Sequence, residues 1–290
     1  MKKELLIGSH VSMSAPDYLV GSLNEALSYK ANAFMIYTGA PQNSKRVELS
    51  KLKIDEFKVK LKENNIAIEN VIVHAPYIIN LASVNPYKHK IAIDVLKNEI
   101  IRTNTIGCKY LVLHPGNAVD CDIDTGINNI ANSINEILDS LSDNSVVICL
   151  ETMSGKGTEV GRNFDQLAKI ISLINKKENI GVCLDTCHIN DAGYDLTHFD
   201  SILDEFDQKI GLDYLHVIHL NDSNNQMNSH KDRHANIGNG TIGFDLLCAI
   251  AHNKRIESIP KILETPWYDN HALYAIEIQA LRTKKPIEYK

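Results

Sequence analysis

Short apolar runs recur along the chain. Six in succession, at 71–74, 110–114, 146–151, 180–185, 215–219 and 262–264, close on His74, His114, Glu151, Asp185, His219 and Glu264. A short run apolar on both faces reads as a strand of a parallel sheet. Earlier strands are predicted at 5–9 and 33–37, and the last one spans 261–265. Helical periodicity lies between the runs. Leu19, Leu23, Ala26 and Leu27 share one face of a helix over 18–30, and 52–64 and 87–106 read as further helices. The clearest stripe is Ile127, Ile130, Ile134, Ile137, Leu138 and Leu141. Phe164 to Ile174, Ile202 to Ile210, 244–251 and a closing segment from His271 complete the set.

Eight strand–helix repeats with no linker predict one domain over 1–290, a closed (β/α)8 TIM barrel. A doubly wound open sheet is the structural alternative, but the ring of polar strand ends favours closure. The C-terminal ends of barrel strands carry the active site in this architecture. Segments 38–53, 75–90 and 221–241 exceed the usual ~2–6 residues of a βα loop and are assigned to function. A polar loop, not a helix, is expected directly after strand six.

A single histidine at a strand end is more often a hydrogen-bonded structural residue than a ligand. Six ligand-type residues at six consecutive strand ends are not independent accidents. His188, just past strand six, and Asp232 and His234, in the strand-seven loop, add a further cluster. Nine oxygen and imidazole donors without thiolate suit zinc or manganese, with two or three ions. Glu151 and Asp185 are the bridging candidates, because a carboxylate can bind one ion through each oxygen. Clustered divalent ions favour phosphoester hydrolysis, one generating hydroxide and another stabilising the leaving oxyanion. Glu264 is placed to bind metal and to orient or deprotonate the attacking water. His216 should face the helical layer. His89, His198, His252 and His271 read as solvated, His230 as exposed, and His10 as facing the mouth.

Composition narrows the class. The 290 residues are 44% hydrophobic, and no run approaches the ~20 apolar residues of a membrane span. The first residues carry charge but turn polar too early for a signal peptide. The six cysteines form no CxxC pair and read as core residues of a reduced compartment, so a cytoplasmic monomer is expected. A net charge of −6 removes any whole-molecule basic field, although bound cations would offset the carboxylates at the mouth.

The pattern resembles the endonuclease IV family, zinc-dependent apurinic/apyrimidinic endonucleases of base-excision repair. Its most specific element is Gly181-Val182-Cys183-Leu184-Asp185-Thr186-Cys187-His188, followed by Ala192-Gly193-Tyr194-Asp195. His219-Leu220-Asn221-Asp222-Ser223, Asp232-Arg233-His234, His114-Pro115-Gly116 and Glu151-Thr152 with Gly155, Gly157 and Gly161 also match. The likeness runs from Gly8-Ser9-His10-Val11-Ser12 to Leu263-Glu264-Thr265-Pro266. It implies three zinc ions, with manganese admissible at one site. His74, His114 and Glu151 would hold the first. Glu151, Asp185, His219 and Glu264 would hold the second, and His188, Asp232 and His234 the third. It further implies incision of double-stranded DNA 5′ to an abasic site, leaving a 3′-hydroxyl and a 5′-deoxyribose phosphate, and removal of 3′-blocking groups.

In such a protein Tyr77 and Ile78 would act as a wedge in an unstacked gap, since an absent base makes nucleotide flipping cheap. Residues 37–43, with Gln42 and Asn43, resemble the family's minor-groove loop. Lys45 and Arg46 would reach phosphate, and Arg233 is a further DNA contact. Two departures touch DNA contacts and no metal ligand: Ala75-Pro76 replaces a more polar segment, and Asn224 stands where lysine is frequent. The main rival is a metal-dependent sugar isomerase or epimerase, which shares the arrangement of Glu151, Asp185, His219 and Glu264 but needs neither the third cluster nor the loop over 39–46. A non-catalytic DNA- or metal-binding protein is the second rival, but no candidate ligand is missing.

Overall fold

The computed structural model describes residues 4–289. Strands β1 (Ile7–His10), β2 (Ala33–Tyr37), β3 (Val71–His74), β4 (Tyr110–Leu113), β5 (Val147–Glu151), β6 (Ile180–Asp185) and β7 (Leu215–His219) follow the predicted runs closely. Between them lie α1 (Tyr18–Ser28), α2 (Ile54–Glu63), α3 (Pro86–Ile106), α4 (Ile123–Asp139), α5 (Phe164–Leu173), α6 (Thr186–Ala192) and α7 (Phe199–Lys209). A two-stranded ribbon, β8 (Asp222–Ser223) with β9 (His234–Ala235), precedes α8 (Phe244–Ala251), β10 (Lys261–Leu263) and α9 (Tyr274–Thr283). The large strands close in the order β1-β10-β7-β6-β5-β4-β3-β2, every neighbour parallel. The predicted TIM barrel is the observed architecture. Among the described residues no helix is long and apolar enough to cross a membrane.

Local chemistry sets the helix boundaries. Asn85 caps α3 by accepting from the backbone N–H groups of Tyr87 and Lys88, and Pro86 occupies the first turn, where no donor is needed. Asp122 and Asn163 cap α4 and α5 in the same way. The sequence reading missed α6. Asp185 caps it by accepting the His188 N–H at 2.8 Å, and Gly193 ends it at φ 109°. Thr-Cys-His-Ile-Asn-Asp-Ala has no apolar stripe, which is why it read as a loop.

The core has two parts. A large cluster fills the layer between sheet and helices. A smaller one, including Met35, Ile72, Val112, Cys149, Cys183, Val217 and Ile262, fills the barrel below its C-terminal mouth. Register levels two of the strand ends, Tyr37 with His74 and Asp185 with His219, while Glu151 stands opposite Cys183, two residues before the end of β6.

One expectation fails in the barrel wall. Val182 pairs with Leu215 but Cys183 with Val217, so His216 is an extra residue in a bulge. The bulge interrupts alternation and turns His216 away from the helical layer. Its ring stacks on Tyr110, centroids 5.0 Å apart and planes at 27°. Gly181 makes room for it, since a Cβ there would lie 2.4 Å from the imidazole. His89 and His252 are likewise not solvated: His89 bonds the Ser83 carbonyl at 2.9 Å and the Ser133 hydroxyl at 3.0 Å, and His252 the Leu281 carbonyl at 2.9 Å.

Candidate metal centre

Glu151 stands at the middle of the mouth, with its carboxylate almost wholly buried. Its two oxygens face different imidazoles. Oε2 lies 3.3 Å from His74 Nε2 and 3.1 Å from His114 Nε2. Oε1 lies 3.1 Å from His219 Nδ1 and 3.3 Å from His188 Nδ1. His219 Nδ1 is also 3.0 Å from Glu264 Oε2 and 3.8 Å from Asp185 Oδ2. Across the mouth, His188 Nε2 meets Asp232 Oδ1 at 3.1 Å, and His234 Nε2 is 3.7 Å from both Asp232 Oδ1 and Asp185 Oδ2.

Among the described residues, donor atoms within 4.8 Å of one another form four groups: His74, His114 and Glu151; Glu151, Asp185, His219 and Glu264; Asp185, His188 and His234; and Cys187, Asp232 and His234. The first two match the ligand sets expected from the sequence, and the others bring together all three members of the third. Cys187 was not anticipated. Its thiol is buried, and burial pushes its pKa far up, which keeps it protonated.

Outer hydrogen bonds fix the rings. His74 Nδ1 donates to the Ala75 carbonyl at 2.7 Å, His188 Nδ1 to the Thr152 carbonyl at 2.8 Å, and His234 Nδ1 to the Glu264 carbonyl at 3.2 Å. Each bond leaves Nε2 as the lone-pair nitrogen aimed at the cluster, the usual second-sphere pattern of metal-binding histidines. Among the described residues, His234 Nε2 is buried without a hydrogen-bond partner, as is His219 Nε2. Sequence reasoning overlooked Asn221, whose Nδ2 donates to Asp185 Oδ2 at 2.7 Å. Its place two residues beyond His219 on an alternating segment was the available signal.

The electrostatics call for cations. Burial pushes the Glu151 carboxyl up, yet His219 and His114 outweigh it and hold it well below the ordinary range; Glu264 is lowered, against burial, chiefly by His219. Burial alone would lower His188, but Asp185, Asp232 and Glu151 raise it well above its ordinary value. His219 is raised against burial by Cys183, Glu264 and Glu151. Without metal, His114, His188 and His219 favour the protonated form, their raised values set against the neighbouring carboxylates. Burial depresses His10, whose ring packs 5.0 Å from Tyr37 at the rim.

The loops surround this mouth. Tyr77 and Ile78 are 55% and 40% exposed, so both apolar surfaces are free to meet a partner. The Tyr37 hydroxyl donates to that of Tyr77 at 2.7 Å, and the Tyr77 N–H donates to the Pro41 carbonyl at 3.1 Å, which joins the two loops. Gln42, Asn43, Lys45 and Arg233 are exposed. Arg46 is not the surface cation the sequence suggested. Its side chain is 4% exposed, its Nε donates to the buried Glu99, and its Nη1 donates to the Asn43 and Lys45 carbonyls at 2.9 Å. Arg46 braces the loop from inside. Asn224, at the second departure, bonds the His234 carbonyl at 2.7 Å and closes the ribbon. Beyond Glu264, exposed Trp267 and Tyr268 enter a tight turn where Tyr268 and His271 pair through their backbones at 2.9 and 2.8 Å. The left-handed Asp269 and Asn270 make that turn, a short-range signal that the sequence reading passed over.

Barrel and site define the class: the model for xylose isomerase-like TIM barrels matches residues 23–284. The chain is 50% identical over 297 residues to the probable endonuclease 4 of Ureaplasma urealyticum serovar 10, covering 100% of this chain and 97% of that one. It superposes on the crystal structure of endonuclease IV from Thermus thermophilus with a TM-score of 0.81 at 26% identity, covering 96% and 97% of the two chains. A D-tagatose 3-epimerase-like protein shares the fold with a TM-score of 0.69 at 20% identity, covering 96% of each chain. The chain belongs to the endonuclease IV family.

Proposed function

We propose that this protein hydrolyses the phosphodiester 5′ to an apurinic or apyrimidinic site in double-stranded DNA, leaving a 3′-hydroxyl and a 5′-deoxyribose phosphate. It also clears 3′-blocking groups, as a deoxyribonuclease of base-excision repair. The observation that carries this reading is the division of Glu151 between two imidazole groups, with a third donor set, His188, Asp232 and His234, a few ångströms away. A sugar epimerase on this barrel needs the quartet of Glu151, Asp185, His219 and Glu264 but not the third set.

The donors fit zinc. They are imidazole and carboxylate, three imidazoles have their outer nitrogens tied to carbonyls, and the buried Nε2 of His234 has no hydrogen-bond partner among the described residues. Three ions are assigned: one to His74, His114 and Glu151, one to Glu151, Asp185, His219 and Glu264, and one to His188, Asp232 and His234, with manganese acceptable in one place. When bound, such ions lower the pKa of water and offset charge on phosphate oxygens.

The chain supplies the rest. Asn221 holds Glu264 and Asp185 in one orientation, so a carboxylate oxygen is ready to orient the attacking water and take its proton. Tyr77 and Ile78 fill the space vacated by a displaced nucleotide, while Gln42, Asn43 and Arg233 meet the backbone and grooves. The protein acts as a monomer in the cytoplasm, and residues 1–290 form one catalytic domain.

The test is incision of a duplex oligonucleotide with one abasic site by metal-loaded protein, chelated protein and Glu264→Gln. Metal-dependent cleavage 5′ to the lesion, lost in the variant, is expected. No incision by protein carrying its full metal complement would overturn the reading and bring sugar substrates forward.

A further inference from the structure

The third donor set comes from two separate segments, and one buried carboxylate joins them. His188 lies on α6, whereas Asp232 and His234 lie on the excursion between β8 and the end of β9. Asp191, nearly one turn beyond His188, has no solvent exposure. Its Oδ1 accepts from the Ser223 hydroxyl at 2.7 Å and from Asn190 Nδ2 at 3.0 Å. Its Oδ2 accepts from Asn225 Nδ2 and from the backbone N–H of Asp232, both at 3.0 Å. The backbone follows the same line: the Asp191 carbonyl accepts from the His230 N–H and the Asn190 carbonyl from the Asn228 N–H, each at 3.0 Å. α6 is thus the bed on which residues 224–232 lie.

Asp232 needs such a hold. Its φ is +55°, a left-handed conformation that side-chain-bearing residues rarely adopt unless surroundings impose it. Asn228 and His230 are left-handed too, at +65° and +55°. A segment with three such residues in five relaxes readily once its anchor is lost. Four neutral donors converge on the Asp191 carboxylate, and no shorter side chain reaches them.

We propose that Asp191 is the positioning residue of the third metal set: it locks the Asp232 backbone against α6, so Asp232 Oδ1 and His188 Nε2 are presented 3.1 Å apart. The assignment rests on the proposed three-ion centre. It predicts a selective effect, because the donors of the other two ions, His74, His114, Glu151, Asp185, His219 and Glu264, stand at the ends of barrel strands and not on the segment that Asp191 anchors.

The experiment titrates metal-loaded native protein, Asp191→Ala and Asp191→Asn with a chelator and counts the zinc retained by mass spectrometry, with circular dichroism as the check on folding. Outer-sphere partners of metal ligands typically change affinity by ~10–100-fold. Asp191→Ala is expected to give up one ion at a roughly 10–100-fold lower chelator concentration, with the other two released as in the native protein. Asp191→Asn keeps one acceptor oxygen and should show a smaller shift in the same ion. Raised zinc should refill the Ala variant. If Asp191→Ala does not fold, the Asn variant decides. Native-like release of all ions by the folded variants, or equal weakening of all three, overturns the positioning role. Native protein that holds fewer than three ions overturns the three-ion centre instead, so the two failures are distinguishable.

Discussion

Asn221 grips Glu264 at both ends: its Oδ1 accepts the Glu264 backbone N–H at 2.8 Å, and its Nδ2 lies 3.3 Å from Glu264 Oε2. Only an amide offers an acceptor and donors in this geometry. Asn221→Asp would set a third carboxylate against Asp185 and Glu264. Asn221→Ala should lower kcat by about 10–100-fold, the usual scale for outer-sphere partners, while metal analysis still finds the native ion count. Unchanged kcat would mean that Glu264 needs no such hold.

Arg46 and Glu99 form a buried pair, 4% and 0% exposed, between the loop after β2 and helix α3. Thr38 donates to the other Glu99 oxygen at 2.6 Å, and Arg102 reaches the Thr38 hydroxyl at 3.1 Å. Removing one partner of a buried pair costs about 3–5 kcal/mol, because the other charge is stranded. Arg46→Leu should therefore destabilise the fold by about 3 kcal/mol. Arg46→Leu with Glu99→Leu should cost clearly less than the two single changes summed. Urea unfolding of the four proteins measures this, and strict additivity would show that the two charges are not coupled.

His216 predicts an acid-side loss of stability. Burial, helped by the charge of Lys109, lowers its pKa from 6.5 to about 4. Between those values the unfolded chain binds a proton that the folded chain refuses. Stability from this group is full above pH 6.5 and lost as pH falls toward 4. The ring is only partly buried, so solvent limits the effect to at most about 2 kcal/mol. If the replacement is otherwise tolerated, urea midpoints of native protein and His216→Phe should agree near neutral pH and separate as acid is added, the native protein falling below the variant. A constant gap would remove His216 as the cause.

Metal removal should reverse the sign on the alkaline side. In the metal-free site His114, His188 and His219 are raised above their ordinary value, the carboxylates outweighing burial. Their contribution is complete below pH 6.5 and disappears as pH rises through the raised values. Chelated protein should therefore melt at progressively lower temperature from neutral to alkaline pH, and metal-loaded protein should not. Parallel thermal scans decide it; equal slopes would mean that the imidazoles do not balance the carboxylates.

The barrel and its candidate ligands were legible because one signal encodes both. Val71 to His74 and Ile180 to Asp185 are apolar strands whose last residue turns polar, and hydrophobic pattern fixes strand and site together. The errors have a common origin in contacts distant along the chain or in a local break of period. Arg46 looked like a surface cation because Glu99, its partner, lies far along the chain on helix α3. His216 looked outward because alternation gives no sign of a one-residue bulge. The α6 helix is held by its cap and by the loop it carries, so no stripe of its own announces it. Asp191 is an ordinary aspartate until the fold brings Ser223, Asn225 and Asp232 to it.

Met35, Val112, Cys149, Cys183, Val217 and Ile262 stopper the barrel beneath the donor cluster. With the barrel filled from below, the opening between the loops is the approach to the centre for water, ion or substrate. A duplex seated over that opening would also stand in the path of a departing ion, so bound DNA should slow the chelator's extraction of metal in proportion to its occupancy.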